Sequence, residues 1–116
     1  MALQHARCHC GSVTISAELQ DEPEVRVVCR DQACIRYGQQ LFFVDKKRFS
    51  LLEGADNLSV YPLPDQGMKQ LFCKACGQQT HMRWVAQDMI GVNSRLMDVE
   101  PSSIVEQPCE LCALSF

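Results

Sequence analysis

Cysteines are the residues of this sequence best suited to chemistry, since eight of them occur in a chain of 116 residues. Paired thiols at short spacing are typical of metal sites, because a tight turn can aim two sulfur atoms at one point. In a reducing compartment, such pairs predict metal ligation rather than disulfides. The four pairs are Cys8/Cys10, Cys29/Cys34, Cys73/Cys76 and Cys109/Cys112.

Two of these pairs are each followed by a glycine, in the motif CHCG that begins at Cys8 and the motif CKACG that begins at Cys73. Glycine can take a positive φ, which lets backbone N–H groups face the thiolates. Neither pair can complete a tetrahedral zinc site alone, but together they make a closed four-thiolate site of the structural type. We predict one structural zinc here, joining an early strand to a later hairpin. The alternative is four free buried thiols.

The segment from Cys29 to Cys34 carries Asp31 between its two cysteines. Sulfur and carboxylate oxygen are both ligands of zinc, so these three side chains could hold a second ion. Three protein ligands leave a fourth position for water or substrate, which a catalytic zinc requires. The alternative, of similar weight, is a solvated aspartate beside two inert thiols.

The last pair, Cys109 and Cys112, allows three interpretations. It can be a tail without a role, or it can fold back to join Cys29 and Cys34 in a second closed four-thiolate site. The third possibility is an exposed dithiol that oxidises, since such pairs exchange readily.

Two histidines lie near the glycine-flanked cysteine pairs, His9 between Cys8 and Cys10 and His81 a few residues after Cys76. His9 stands between two predicted ligands, and we interpret it as a surface residue because the backbone should point it away from the metal. His81 can act as a proton donor or a metal neighbour in a catalytic cleft, or it can be a buried side chain satisfied by backbone groups. Trp84, Tyr37 and Phe43 could line a cleft, but aromatic residues of a small domain usually belong to the core.

Short β-type segments must position these side chains. Residues 12–19 alternate polar and apolar, which predicts a strand with Val13, Ile15, Ala17 and Leu19 on its buried face. A loop is predicted around Pro62 to Gly67, and a short helical turn at 33–37. Further strands are predicted at 25–29, 41–44, 49–52, 58–61, 68–73, 82–85 and 89–93. The pattern favours a mainly β domain over 1–100 and a C-terminal tail over 101–116.

The charge of the sequence argues against nucleic acids and membrane surfaces as partners. The formal net charge is -3, and no basic run marks a nucleic-acid or membrane-surface site. The chain has no apolar stretch of signal-peptide or membrane-spanning length, so we expect a cytoplasmic protein.

The joint motif pattern resembles the glutathione-dependent formaldehyde-activating enzyme family, which also includes centromere protein V. The resemblance covers roughly residues 5–100. Beside the six-residue segment that opens and closes with cysteine, it rests on CHCG from Cys8, FCxxCG from Phe72, FxLLxGxxxLxxY from Phe49, TH from Thr80 and GVN from Gly91.

This resemblance implies a β-tent of folded antiparallel sheets with little helix. It implies a structural zinc on the two glycine-flanked cysteine pairs, and a catalytic zinc held by three cysteines in the pattern CxCxxC. Cys29 and Cys34 match the first and third of those cysteines, whereas Asp31 stands in the place of the second. His81 matches a position found in part of the family.

The implied reaction joins formaldehyde to the thiol of glutathione and gives S-hydroxymethylglutathione, which is carbon–sulfur lyase chemistry. The expected partner is therefore a small thiol adduct. The alternative is a non-catalytic zinc module in which only the four-cysteine site is filled, because Asp31 replaces a family cysteine.

Overall fold

The computed structural model describes residues 2–27, 40–63, 67–97, 99 and 103–106. In these residues the chain is built from strands, joined in four places by 3-10 turns of three residues each. The strands are β1 (Ala2–Arg7), β2 (Thr14–Leu19), β3 (Glu24–Val27), β4 (Leu41–Asp45), β5 (Phe49–Glu53), β6 (Leu58–Leu63), β7 (Met68–Cys73), β8 (Gln79–Trp84), β9 (Met89–Asn93) and β10 (Ser103–Glu106). The predicted mainly β fold is confirmed.

The strands form two sheets. One has three strands in the order β1-β2-β5, and the other has seven in the order β10-β3-β4-β9-β8-β7-β6. Neighbouring strands are antiparallel, as predicted, except that β10 runs parallel to β3. Cys8 follows a strand of the three-stranded sheet and Cys73 ends a strand of the seven-stranded sheet, so the packing of the two sheets brings the distant cysteine motifs together.

The main core lies between the apolar faces of the two sheets. The three-stranded sheet and the residue just before β2 contribute the face predicted from the alternation, Val13, Ile15, Ala17 and Leu19, of which the first three are fully buried. The opposing apolar side chains, together with the two cysteines that belong to the same cluster, are Phe42, Val44, Ile90, Val92, Cys8 and Cys73. The first residue of each cysteine motif is therefore anchored in the core.

The structure differs from the predictions at three places. β1 was not predicted, because Ala2–Arg7 contains neither an apolar run nor an alternation. The loop predicted at Pro62 is wrong at its start, since Pro62 pairs with Lys69 inside β6. Because β6 is the edge strand of its sheet, a proline without an N–H is tolerated there. β10 pairs with β3 although it lies within the predicted tail.

Two predictions are not tested by the described residues. The helical turn predicted at 33–37 lies outside the described residues, and the domain boundary at residue 100 stays a prediction. Where the chain is described, it contains no helix with the length and apolar character needed to cross a membrane.

Candidate metal centre

The first cysteine turn directly follows β1. The N–H of Cys8 donates to the carbonyl of Val13 at 3.0 Å, and its own carbonyl accepts from the N–H of Gly11 at 2.9 Å. Gly11 has φ of 81°, a conformation that favours glycine. The chain thereby reverses within a few residues and leaves Cys8 buried and Cys10 exposed.

The second cysteine turn begins at the last residue of β7. The N–H of Cys73 donates to the carbonyl of Gln78 at 2.9 Å, and its carbonyl accepts from the N–H of Gly77 at 2.8 Å. Gly77 has φ of 75°. As in the first turn, the leading cysteine is buried, whereas Cys76 is partly exposed.

The two turns bring the four sulfur atoms of Cys8, Cys10, Cys73 and Cys76 to within 4.8 Å of one another. The Sγ atoms of Cys8 and Cys10 are 3.6 Å apart, as are those of Cys10 and Cys73. A disulfide needs about 2.05 Å, so these pairs are not bonded. Tetrahedral zinc with Zn–S bonds of about 2.3 Å places its sulfurs about 3.8 Å apart. The four side chains therefore fit a tetrahedral metal ion.

A serine hydroxyl lies against three of these sulfurs. Ser12 Oγ is 3.0 Å from the Sγ of Cys10, 3.2 Å from that of Cys73 and 3.8 Å from that of Cys8. A hydroxyl donates to thiolate sulfur, which is acceptor-only when ionised. Ser12 is thus the side chain, among the described residues, that stabilises negative charge on the cluster.

Hydrogen bonds favour the thiolate forms of the two buried cysteines. The Ser12 hydroxyl, followed by the backbone N–H groups of Cys76 and Ala75, lowers the pKa of the Cys73 thiol from 9.0 to about 6. Burial raises the pKa of the Cys8 thiol, but the N–H of Val13 and neighbouring side chains outweigh it, so that this pKa is lowered. Since thiolates are the forms that bind metals, the turns prepare the sulfurs for ligation.

His9 connects the two turns through its backbone rather than through its ring. Its N–H donates to Gln78 Oε1 at 2.8 Å. The residue is exposed and is not a member of the cysteine cluster, which agrees with its interpretation as a surface histidine.

His81 lies in β8 and is 3% exposed. Its Nδ1 is 2.8 Å from Thr80 Oγ1, and its ring packs against Phe49 with centroids 4.6 Å apart. Burial, followed by the charge of Arg83, lowers the pKa of His81 from 6.5 to about 4. The imidazole is therefore neutral near pH 7 and satisfied by a hydroxyl. A role as proton donor stays a prediction.

The remaining candidate residues do not all fall in described regions. Trp84 and Phe43 lie edge-on to each other, with ring centroids 6.1 Å apart and an interplanar angle of 60°. The other predicted site residues lie outside the described residues, and they are Cys29, Asp31, Cys34, Tyr37, Cys109 and Cys112.

Sequence reasoning missed Ser12 and the glycine that holds it in place. Gly54 has φ of +93°, and a Cβ built on it would lie 2.2 Å from the Ser12 carbonyl oxygen. A serine after CHCG carries no distinctive signal of its own. The close approach of the β5–β6 turn to this serine depends on tertiary structure, and local sequence does not encode it.

The fold and the site together define a mainly β protein with a four-cysteine cluster that can hold a metal ion. A crystal structure of a Rhodobacter sphaeroides protein is similar, with 28% sequence identity and a TM-score of 0.74. The match covers 87% of this chain and 99% of that chain. The family model described as glutathione-dependent formaldehyde-activating enzyme matches residues 3–111. This chain belongs to the glutathione-dependent formaldehyde-activating enzyme family.

Proposed function

We propose that the four-cysteine cluster holds one structural zinc ion. The observation that carries this proposal is the meeting of four sulfurs, from two turns more than sixty residues apart in sequence, within 4.8 Å. Cysteine sulfur is a soft ligand that favours zinc over magnesium or calcium. Elemental analysis of purified protein should find zinc, and Cys73→Ser should lower the content by one ion per chain. A zinc content unaffected by this substitution would reject the site.

The proposed activity is carbon–sulfur lyase chemistry on an adduct of a small thiol, with glutathione and formaldehyde as the substrates. It is supported by the family match over residues 3–111. In the synthetic direction, the thiol sulfur forms a bond with the aldehyde carbon while the C=O π bond opens. The thiol proton ends on the new hydroxyl oxygen, so the reaction needs no oxidant or reductant.

We assign the reaction centre to Cys29, Asp31 and Cys34, the three potential ligands of a second zinc. A zinc with an open position favours the thiolate form of a bound thiol and stabilises negative charge on an aldehyde oxygen. The carboxylate of Asp31, a harder ligand than a thiolate, should weaken zinc retention at this centre. His81 stays the predicted proton donor, and its buried position keeps the imidazole neutral at pH 7, so that it would donate from a ring N–H.

The alternative function is a non-catalytic zinc module with only the four-cysteine site filled. The observation that favours it is Asp31, which stands where the family pattern has a cysteine. Zinc per chain separates the two proposals, because the module should bind one ion and the enzyme two. If the module is correct, Asp31→Cys should raise the content from one ion to two.

The activity is tested by following the condensation of formaldehyde with glutathione in the presence of protein saturated with zinc. A rate above the uncatalysed rate, abolished by Cys29→Ser and retained by the exposed-site control Ser50→Ala, supports the enzyme. No acceleration by protein that carries two zinc ions would reject this reaction.

The proposed partner is a small thiol rather than a nucleic acid, given the net charge of -3. The proposed compartment is the cytoplasm, where the reducing environment would keep metal-binding thiols available. A filter-binding assay at low salt tests the first point, since measurable retention of RNA or DNA would contradict it.

A further inference from the structure

The strand β6 leaves one edge of the seven-stranded sheet open. It stands last in the order of that sheet and pairs on one side with β7. Val60 is 52% exposed and Tyr61 is 50% exposed, and the strand carries no charged residue. Edge strands usually carry charges that discourage pairing with other chains, whereas an exposed apolar edge strand is a template for another extended segment.

The pairing with β7 fixes which backbone groups of β6 point outward. The N–H of Lys74 donates to the carbonyl of Asn57 at 2.8 Å, so this pair exchanges hydrogen bonds between the two strands. In an antiparallel ladder, such pairs alternate with pairs that exchange none. Leu58, Val60 and Pro62 belong to pairs of the second kind, so their backbone nitrogen and carbonyl groups point away from β7.

This outward edge can form four hydrogen bonds with an incoming strand. Pro62 has no N–H, and the N–H of Leu58 already donates to the carbonyl of Ala55. The N–H of Val60 and the carbonyls of Leu58, Val60 and Pro62 remain, and none of them has a partner in the part of the chain that the structure describes. An antiparallel strand placed opposite Val60 satisfies all four groups.

These groups fit a foreign strand better than a second copy of β6. In a two-fold pairing centred on Val60, Leu58 of one copy would lie opposite Pro62 of the other. Neither residue has a free N–H to donate, so only the two bonds between the Val60 residues would form. A strand of different sequence forms twice as many, and Pro62 thus acts against self-association.

The three-stranded sheet does not cover this edge. Phe49 lies in β5, the edge strand of that sheet, and packs on His81 of β8, two strands in from β6. Beyond this contact, Val60, Pro62 and Lys69 are exposed. A strand added to β6 therefore has open space on the face that carries these three side chains.

Two cations beside this edge set the charge of the partner. Lys69 of β7 stands opposite Pro62 on one side and opposite Arg83 of β8 on the other, so the three side chains share a face. Among the described residues, neither cation has a carboxylate partner. Like charges directly opposite each other destabilise a sheet, whereas opposite charges on neighbouring strands attract. An acidic side chain on the added strand would complement this pair.

We infer that β6 binds an extended acidic segment of a partner protein as an additional antiparallel strand. Backbone hydrogen bonds at Leu58, Val60 and Pro62 supply the pairing, as main-chain bonds do in other cases of strand addition. An apolar residue opposite Val60 packs against its side chain, and a glutamate or aspartate opposite Pro62 lies on the face of Lys69. This surface is independent of the thiol chemistry and of the four-cysteine cluster.

The probe is the peptide acetyl-Glu-Thr-Glu-Val-Val-Thr-Val-amide, whose second glutamate lies opposite Pro62 when its fifth residue lies opposite Val60. Isotope-labelled, zinc-loaded protein is titrated with it and followed by NMR of the backbone amides. The Val60 amide proton should move downfield, because its N–H gains an acceptor, with the other changes confined to β6 and its neighbours. The same peptide with an N-methyl group on its fifth residue should leave this resonance in place, since it cannot donate to the Val60 carbonyl.

Charge variants test the role of the cations. Lys69→Glu should raise the Kd for this peptide about 3- to 10-fold, because an attraction between exposed charges becomes a repulsion. The variant should instead bind the peptide with lysines in place of its glutamates more tightly than the wild type does. Arg95→Glu is the matched control, because Arg95 is exposed in the turn after β9 and its reversal changes the net charge equally, and it should bind as the wild type does.

Three outcomes would overturn the inference. A Val60 amide that does not move at millimolar peptide, or that moves equally with the N-methylated peptide, rejects strand addition at β6. Equal Kd values for the glutamate and lysine peptides reject an acidic partner. A wild type that sediments as a dimer, together with a monomeric Val60→Pro variant that lacks the outward N–H, would assign the edge to a second copy of the chain.

Discussion

The two cysteine turns are built alike but are fixed to the fold in different ways. Each begins with a buried cysteine and ends at a glycine of positive φ, Gly11 or Gly77, whose N–H bonds back to the leading cysteine. The first turn is locked through Ser12, against which Gly54 packs without room for a Cβ. The turn glycines themselves both have room for a Cβ, and the two turns share the same pattern of backbone hydrogen bonds, so this close contact at Ser12 is particular to the first turn.

This difference shows that two cysteine turns of similar backbone geometry can be held in place by different contacts. The second turn uses the N–H of Lys74, which donates to the carbonyl of Asn57 at 2.8 Å, and the N–H of Cys73, which donates to Gln78. The first turn has one residue fewer between its cysteines, and it adds a hydroxyl that contacts sulfurs of both turns. Substitutions in the two halves should therefore have different consequences.

The largest expected effect is the loss of the ion that both turns share. Removing zinc with a chelator, or substituting Cys8→Ser or Cys73→Ser, should reduce the free energy of unfolding by about 10 kcal/mol, the scale of structural zinc sites. A domain of this size has a comparable total stability, so it should unfold. Circular dichroism before and after chelation measures this. A β-sheet spectrum and melting temperature unaffected by chelation would contradict it.

A smaller but still large effect is expected at Gly54. Gly54→Ala places a Cβ at 2.2 Å from the Ser12 carbonyl oxygen and requires a residue with φ of +93°. Left-handed strain and overpacking together should cost about 4 kcal/mol. Gly77→Ala is the matched control, since its φ of +75° carries strain but no atom lies within 4 Å of the added Cβ.

Urea unfolding of zinc-loaded protein compares these two glycine variants. We expect Gly77→Ala to lose about 1 kcal/mol, the left-handed strain alone. Equal losses for the two variants would show that the lock at Ser12 does not distinguish the first turn from the second.

Much of this arrangement could be predicted from sequence, for local reasons. The alternation from Val13 to Leu19 fixed the buried face of β2, and the two glycine-flanked motifs indicated which cysteines meet. Features that depend on distant residues could not be predicted. The start of the loop was misplaced at Pro62, because only the sheet order makes β6 an edge strand. The role of Ser12 depends on contact with Gly54 and likewise has no local signal.

Acid should lower the free energy of unfolding through His81, which lies in β8 just after the second cysteine turn. The pKa of His81 is lowered from 6.5 to about 4, so the unfolded chain binds more protons than the folded protein between these pH values. Stability should therefore be fully present above pH 6.5 and fall as the pH drops through this window, by about 3 kcal/mol in total.

The comparison with His81→Leu isolates this contribution, because both proteins lose thiolate ligation alike as the pH falls. Unfolding free energies measured from pH 7 to pH 4 should decline less steeply for the variant, by about 1.4 kcal/mol per pH unit within the window. Parallel curves for the two proteins would mean that the histidine titrates normally and that its burial has no such consequence.

The smallest expected effect concerns the hydroxyl that the first turn adds. Ser12→Ala removes the hydroxyl that lies within hydrogen-bonding distance of the sulfurs of Cys10 and Cys73, while leaving all four ligands in place. Groups that hydrogen-bond to metal ligands contribute about 10-fold or more in metal affinity, so zinc should transfer to a competing chelator about 10-fold faster. Ser50→Ala, at an exposed position of β5, controls for loss of a hydroxyl elsewhere, and Ser12→Thr should restore much of the retention. If zinc leaves Ser12→Ala at the wild-type rate, the two turns differ in their packing alone, and the hydroxyl contributes nothing to holding the ion.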